Sequence, residues 1–188
     1  MVTMKEGTIY RSFNSKDKRQ VTLRAPKWSD VDDYLYFINS LVEEKAMILM
    51  NEKQTRDNEI GWISRLLTGV ERGQIAAVVA EVDDHLVGSC EISKKSGYSS
   101  HLGVLGISLL SGYRDVGIGQ EMMLETEKQS SRIGVEIVEL EVYSLNTRAV
   151  HVYERVGYII VGRLSNSIKR EGRYMDTFLM IKQLPLVL

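Results

Sequence analysis

Leu102-Gly103-Val104-Leu105-Gly106-Ile107-Ser108-Leu109-Leu110 is an apolar run of strand length. Ser111 to Val116 follow as a polar turn carrying Tyr113-Arg114-Asp115, then Gly117-Ile118-Gly119. A helical pattern opens at once with Gln120-Glu121-Met122-Met123-Leu124-Glu125. A second strand reads Glu136-Ile137-Val138-Glu139-Leu140-Glu141-Val142, and a second helix runs from Asn146 to Tyr158. The order strand, glycine loop, helix, strand, helix suits a phosphorylated cofactor. A helix N-terminus offers unpaired N–H groups and the positive end of its dipole. Glycines there let backbone approach a phosphate closely, and the planar fork of Arg114 matches phosphate oxygens. Taken alone, Arg-x-x-Gly-x-Gly also fits an ordinary strand-to-helix turn.

A dinucleotide fingerprint competes for the same glycines, with Glu139 twenty residues on as the ribose acid. Its third glycine position holds Met122, and Gly117 lies seven positions after Leu110, too far for a tight turn off the strand. Nor does the sequence after Val142 continue as a second nucleotide-binding half. A Walker loop fails because no Lys-Ser or Lys-Thr follows the glycines.

Arg114-Asp115-Val116-Gly117-Ile118-Gly119 resembles the Arg/Gln-x-x-Gly-x-Gly/Ala signature of GCN5-related N-acetyltransferases. Asn146, Ala149, Tyr153, Gly157 and Tyr158 resemble a second block of the same family at compatible spacing. Asp115-Val116 stands where Gly-Lys is common in that family. The resemblance covers residues 75–163 and, more weakly, Val21 to Leu184. It implies an acyl-CoA N-acyltransferase fold in which two parallel strands, here Leu102–Leu110 and Val135–Val142, splay apart at their ends. It implies acetyl-CoA as co-substrate, held by Arg114, Asp115, Val116, Gly117, Ile118 and Gly119. The backbone of Ile107 and Leu109 would pair with pantetheine as an added strand does. Asn146 and Tyr153 would complete the cofactor contacts.

With 188 residues and a net charge of −1, the chain suits one soluble domain and suggests neither nucleic-acid nor anionic-membrane partners. Cys90 is the single cysteine, so no internal disulfide forms, and it reads as a small core residue. No metal-ligand cluster is evident. No apolar run reaches membrane-spanning length, and Met1 to Gln20 lack the apolar core of a signal peptide. A cytoplasmic location is expected, with a homodimer allowed for.

Residues 1–19 read as an N-terminal arm or an extra strand at Thr8–Phe13, and 20–188 as one N-acetyltransferase domain. Val21–Arg24 is a strand. Ser29 is the expected cap of a helix to about Lys45, and Thr55 that of a helix to about Glu71. Ile75–Val82 and His85–Ile92 form a hairpin about Asp83-Asp84, and Tyr158–Gly162 and Arg173–Ile181 are strands. Ser165–Gly172 reads as a polar loop. The whole is an α/β architecture with a mixed sheet flanked by helices.

Acetyl transfer to an amine requires loss of an amine proton, donors for the oxyanion and a proton for the leaving thiolate. Tyr153 lies seven residues after Asn146, on one helical face, and the resemblance gives it the sulfur-protonating role. Its ordinary alternative is a packing aromatic. For the base, Glu141 is placed as in acetyltransferases similar to those acting on ribosomal-protein N-termini. His101 at the strand start and Glu91 on a neighbouring strand are alternatives, as is a water chain. The acceptor is a small-molecule or peptide amine, walled by residues 26–74 and 165–173. A non-catalytic acyl-CoA sensor of the same fold is the competing reading.

Overall fold

The computed structural model describes residues 5–185; residues 1–4 of the expected arm, and 186–188, lie outside the described residues. Eight strands form one sheet: β1 Ile9–Asn14, β2 Gln20–Arg24, β3 Ile75–Val82, β4 His85–Lys94, β5 Leu102–Leu109, β6 Ile137–Tyr143, β7 Ile159–Arg170 and β8 Arg173–Gln183. Their spatial order is β1-β2-β3-β4-β5-β6-β8-β7. Among the described residues only the β5–β6 pair is parallel. The helices are α1 Val31–Glu43, α2 Arg56–Glu71, α3 Ile118–Arg132 and α4 Thr147–Val156.

The period-2 alternation of β3 builds two cores. Val78 and Ala80 join Met122 and Met123 of α3 and Val156 of α4. Ala77 and Val79 pack with Phe37 and Leu41 of α1 and Ile63 and Leu66 of α2. The sheet is therefore covered on both faces, which explains why β3 is apolar without a break from Ile75 to Ala80. Asp83 and Asp84 take φ of 49° and 62°, the left-handed pair that closes a two-residue hairpin.

Two local readings change. Ser29 does not cap α1. A 3₁₀ turn spans Trp28–Asp30, and Asp30 stands at the cap position. The Asp30 carboxylate is held by the buried Arg24 guanidinium through bonds of 2.8 and 2.9 Å, and it accepts the Lys27 N–H at 2.9 Å. That buried pair fixes where the helix begins. Ser165–Arg170 are strand rather than loop, because β7 and β8 make one long hairpin that turns at Glu171-Gly172. Its tip docks on the α1–α2 connection: Arg170 donates to the carbonyls of Lys45 (2.8 Å) and Ala46 (3.1 Å).

Candidate active site

β5 and β6 pair at three positions only, Leu102–Ile137, Gly103–Val138 and Val104–Glu139. Beyond them the strands part, so one edge of Leu105–Leu109 has no strand partner. β5 then ends in a short turn and the glycine loop. Asp115 and Gly117 have φ of 64° and 92°, a local kink that aims the first turn of α3 back at the open end of the split. Gly117 supplies no side-chain cap, so N–H groups of that turn stay available to an anion. Gly119 has a packing reason as well: a Cβ there would lie 3.0 Å from Leu109 Cδ1.

The Arg114 fork is already engaged. Its Nε donates to the Leu109 carbonyl at 2.8 Å and its Nη2 pairs with Glu44 at the end of α1. In this state it clamps the loop onto β5. Asp115 pairs with Arg148 of α4 at 2.7 Å, tying the loop to the second motif block.

On the α3–α4 face of the sheet, Tyr153 borders the same apolar cluster as Ile107, Leu109 and Ala149. Burial pushes its phenol above the ordinary tyrosine value, with Cys90 adding to the shift, so it stays protonated at working pH. Its hydroxyl makes no hydrogen bond among the described residues. Asn146 caps α4, its Oδ1 accepting the Ala149 N–H at 3.2 Å, and Gly157 ends the helix at φ 105°. Part of the second block is thus a helix-delimiting device.

The opposite face carries a cavity of about 600 Å³ between α1, α2, β4 and β5. Tyr34, Phe37, Leu41 and Trp62 form its apolar wall. Glu91, opposite Gly106 of β5, and Glu59 of α2 both face it. Burial raises both carboxyls above the usual carboxylate range, and neither has a hydrogen-bond or ion-pair partner among the described residues. Arg65 at the same cavity is likewise without an ion pair.

The proposed site residues therefore fall in two groups. Ile107, Leu109, Arg114 to Gly119, Asn146 and Tyr153 converge on the open end of the split. Glu141 stands on β6 opposite Leu179, exposed, with Thr177 Oγ1 at 3.5 Å, on the far lip from the cavity. His101 is not brought there. It lies at the paired end of β5, its carbonyl accepting the N–H groups of Glu136 (2.8 Å) and Ile137 (3.2 Å). Ile107 lies six positions farther along the strand, roughly 20 Å. What the sequence did not single out is Arg65 and the contacts of the β1–β2 turn; Glu59 belongs to the 26–74 segment expected to wall the acceptor side.

A split parallel pair, an uncapped helix behind glycines and a half-buried tyrosine describe an acyl-CoA transferase fold. The model of the acetyltransferase (GNAT) family matches residues 35–158, and the chain belongs to that family. An Escherichia coli L-amino acid N-acetyltransferase, AaaT, is 29% identical over 123 residues, 64% of this chain and 74% of that protein. A GNAT acetyltransferase from Streptococcus pneumoniae superposes with a TM-score of 0.79 at 19% identity, covering 87% of this chain and 99% of that one. YncA, a putative acetyltransferase from Salmonella typhimurium solved with acetyl-CoA, superposes at 0.76 and 17% identity, covering 88% and 94%. Among the described residues no helix is long and apolar enough to cross a membrane.

Proposed function

We propose that this protein transfers acetyl from acetyl-CoA to the primary amine of a small amphipathic acceptor, by direct attack in a ternary complex. One observation carries the reading: the split between β5 and β6 has a protonated tyrosine on one face and, on the other, a cavity with a half-buried carboxylate that has no partner among the described residues. The open β5 edge and the uncapped start of α3 fit a pantetheine arm and its phosphates. Acetyl-CoA supplies the activated acyl group when bound.

Glu91 is the base of this proposal. A carboxyl raised by burial is a better proton acceptor near neutral pH than an ordinary one. It takes the amine proton, the N–C bond forms as the C–S bond breaks, and the Tyr153 hydroxyl protonates the departing sulfur. Glu141, on the other lip, is the competing base, and the pH profiles of Glu91→Gln and Glu141→Gln decide between them. Glu59 and Glu91 favour an ammonium, the aromatic wall favours an apolar body, and Arg65 favours a carboxylate. The activity named for the Escherichia coli relative supports an amino acid of that kind. A screen of free L-amino acids, polyamines and peptide N-termini with acetyl-CoA and thiol detection tests this. Turnover on apolar amino acids is expected. Acetyl-CoA binding without turnover on any amine would favour the sensor reading.

A further inference from the structure

The β1–β2 turn, Ser15 to Arg19, lies against the glycine loop about a hundred residues away. Lys16 N–H donates to the Val116 carbonyl at 3.0 Å. Arg19 Nη2 donates to the Gly112 carbonyl at 2.7 Å, and its guanidinium sits 4.2 Å over the Tyr113 ring. The loop is thereby held from outside at two points, one before its kink and one within it.

The cations around this loop differ in what they already bind. Arg11 pairs with Glu121, Arg19 with Asp17, Arg114 with Glu44 and Arg148 with Asp115. Lys16 has no ion pair among the described residues. Its stem runs beside Gly117: a Cβ on Gly117 would lie 3.8 Å from Lys16 Cε and 4.0 Å from Cγ. An ammonium without a counterion thus stands next to the uncapped first turn of α3. Both features attract the same kind of ligand, a phosphate, and the main-chain bond to Val116 fixes one relative to the other. The turn lies outside residues 35–158, the span matched by the family model.

We propose that Lys16 is a cofactor-binding residue, its ammonium neutralising the diphosphate of CoA at the N-terminus of α3. This rests on the acetyl-CoA reading above. The β1–β2 hairpin is then part of the cofactor site rather than an appendage to the sheet.

Calorimetric titration of the full chain with CoA, dephospho-CoA and S-acetylpantetheine tests it. Lys16→Met keeps most of the stem and removes the charge, and Lys18→Met makes the same change in net charge from the same turn. Lys16→Met should weaken CoA and dephospho-CoA equally, about 3- to 10-fold at low salt, with the difference shrinking at high salt. S-acetylpantetheine, which lacks the phosphates, should bind both variants as it binds the wild type. Lys18→Met should weaken CoA by less. Unchanged CoA affinity in Lys16→Met, equal loss in Lys18→Met, or loss that extends to S-acetylpantetheine or disappears with dephospho-CoA overturns the assignment. Wild-type protein that fails to bind CoA at all removes the acetyl-CoA reading itself, a separate outcome.

Discussion

Replacing Gly119 separates its packing role from its ligand role. A Cβ at this position meets Leu109 Cδ1 at 3.0 Å and Ile107 Cδ1 at 3.9 Å. The close atom is a side-chain tip, so Gly119→Ala needs a shift of a few tenths of an ångström. Overpacking of about 1 kcal/mol is then offset by the roughly 1 kcal/mol that alanine gains over glycine inside a helix. Gly119→Leu places a branched chain against both residues and should cost about 1–3 kcal/mol, or roughly 2–10 °C in Tm for a chain of this size. Acetyl-CoA at a hundred times its Kd stabilises the wild type by about 2.7 kcal/mol, or roughly 5–10 °C. If Gly119→Leu weakens binding a hundredfold, the same concentration leaves about 0.4 kcal/mol, near 1 °C. The assay is a thermal melt with and without acetyl-CoA. Gly103→Ala is the control: its Cβ would lie 2.5 Å from Ile92 Cγ2, at the paired end of β5, so it should lower Tm yet keep the full ligand shift. An undiminished shift in Gly119→Leu refutes the placement of the phosphates on this loop. A lost shift in Gly103→Ala shows that the readout reports general damage.

Tyr153→Phe should keep cofactor affinity and lower kcat by about 10²–10⁴-fold, measured by thiol release at saturating acceptor. Because the Tyr153 phenol is raised above its ordinary value, the wild-type rate should show no alkaline limb from this group up to about pH 10. Glu91→Gln should lower the rate at pH 7 by about 10²-fold or more and recover toward pH 9, where more free amine is present, while Glu141→Gln should stay within a few-fold of wild type. The opposite pattern makes Glu141 the base. Burial raises the Glu91 carboxyl in the folded state, so wild-type stability is fully present below the unfolded carboxyl value, about 4.3, and falls as pH rises through the raised folded value. Glu91→Gln should therefore melt above wild type at pH 8 and level with it at pH 4; equal melting points at both values would show that the carboxylate is solvated.

Much of the fold was legible because its signals are local. Thr55 caps α2 through the Asn58 N–H, Asp83-Asp84 turn the β3–β4 hairpin, and Gly157 ends α4. The misread points depend on distant partners. Asp30 displaces Ser29 as the cap because Arg24 is buried against it. Ser165–Arg170 carry no apolar alternation, yet they form strand because β8 supplies the hydrogen bonds of an exposed hairpin. At the site, the glycine loop and Tyr153 come from the family resemblance, whose two motif blocks are each local in sequence. The choice of base among Glu141, Glu91 and His101 could not be read locally, since it depends on how far each is screened from solvent and where along the split each lies. The engagement of Arg114 by Glu44 and the approach of Lys16 to Val116 join residues 70 and 100 positions apart, and no local pattern announces them.

Three residue pairs join β5 to β6, whereas β3 and β4 share eight and β6 and β8 share seven. The sheet is thus two unequal leaves, one of five strands and one of three, stitched at a narrow seam. The β2–β3 pair also shares only three residue pairs, but Leu23 and Ala80 there join the core beneath α3, so the β5–β6 seam is where heat or force is expected to open the sheet. Opening extends the already unpaired edge of Leu105–Leu109 through Leu102–Val104 and frees Ile137–Glu139 opposite, giving edges of the kind through which chains pair with one another. A molecule lodged in the split acts as a clasp on both leaves. Keeping that clasp in place is then expected to slow association of the stored protein, beyond what its two cores contribute.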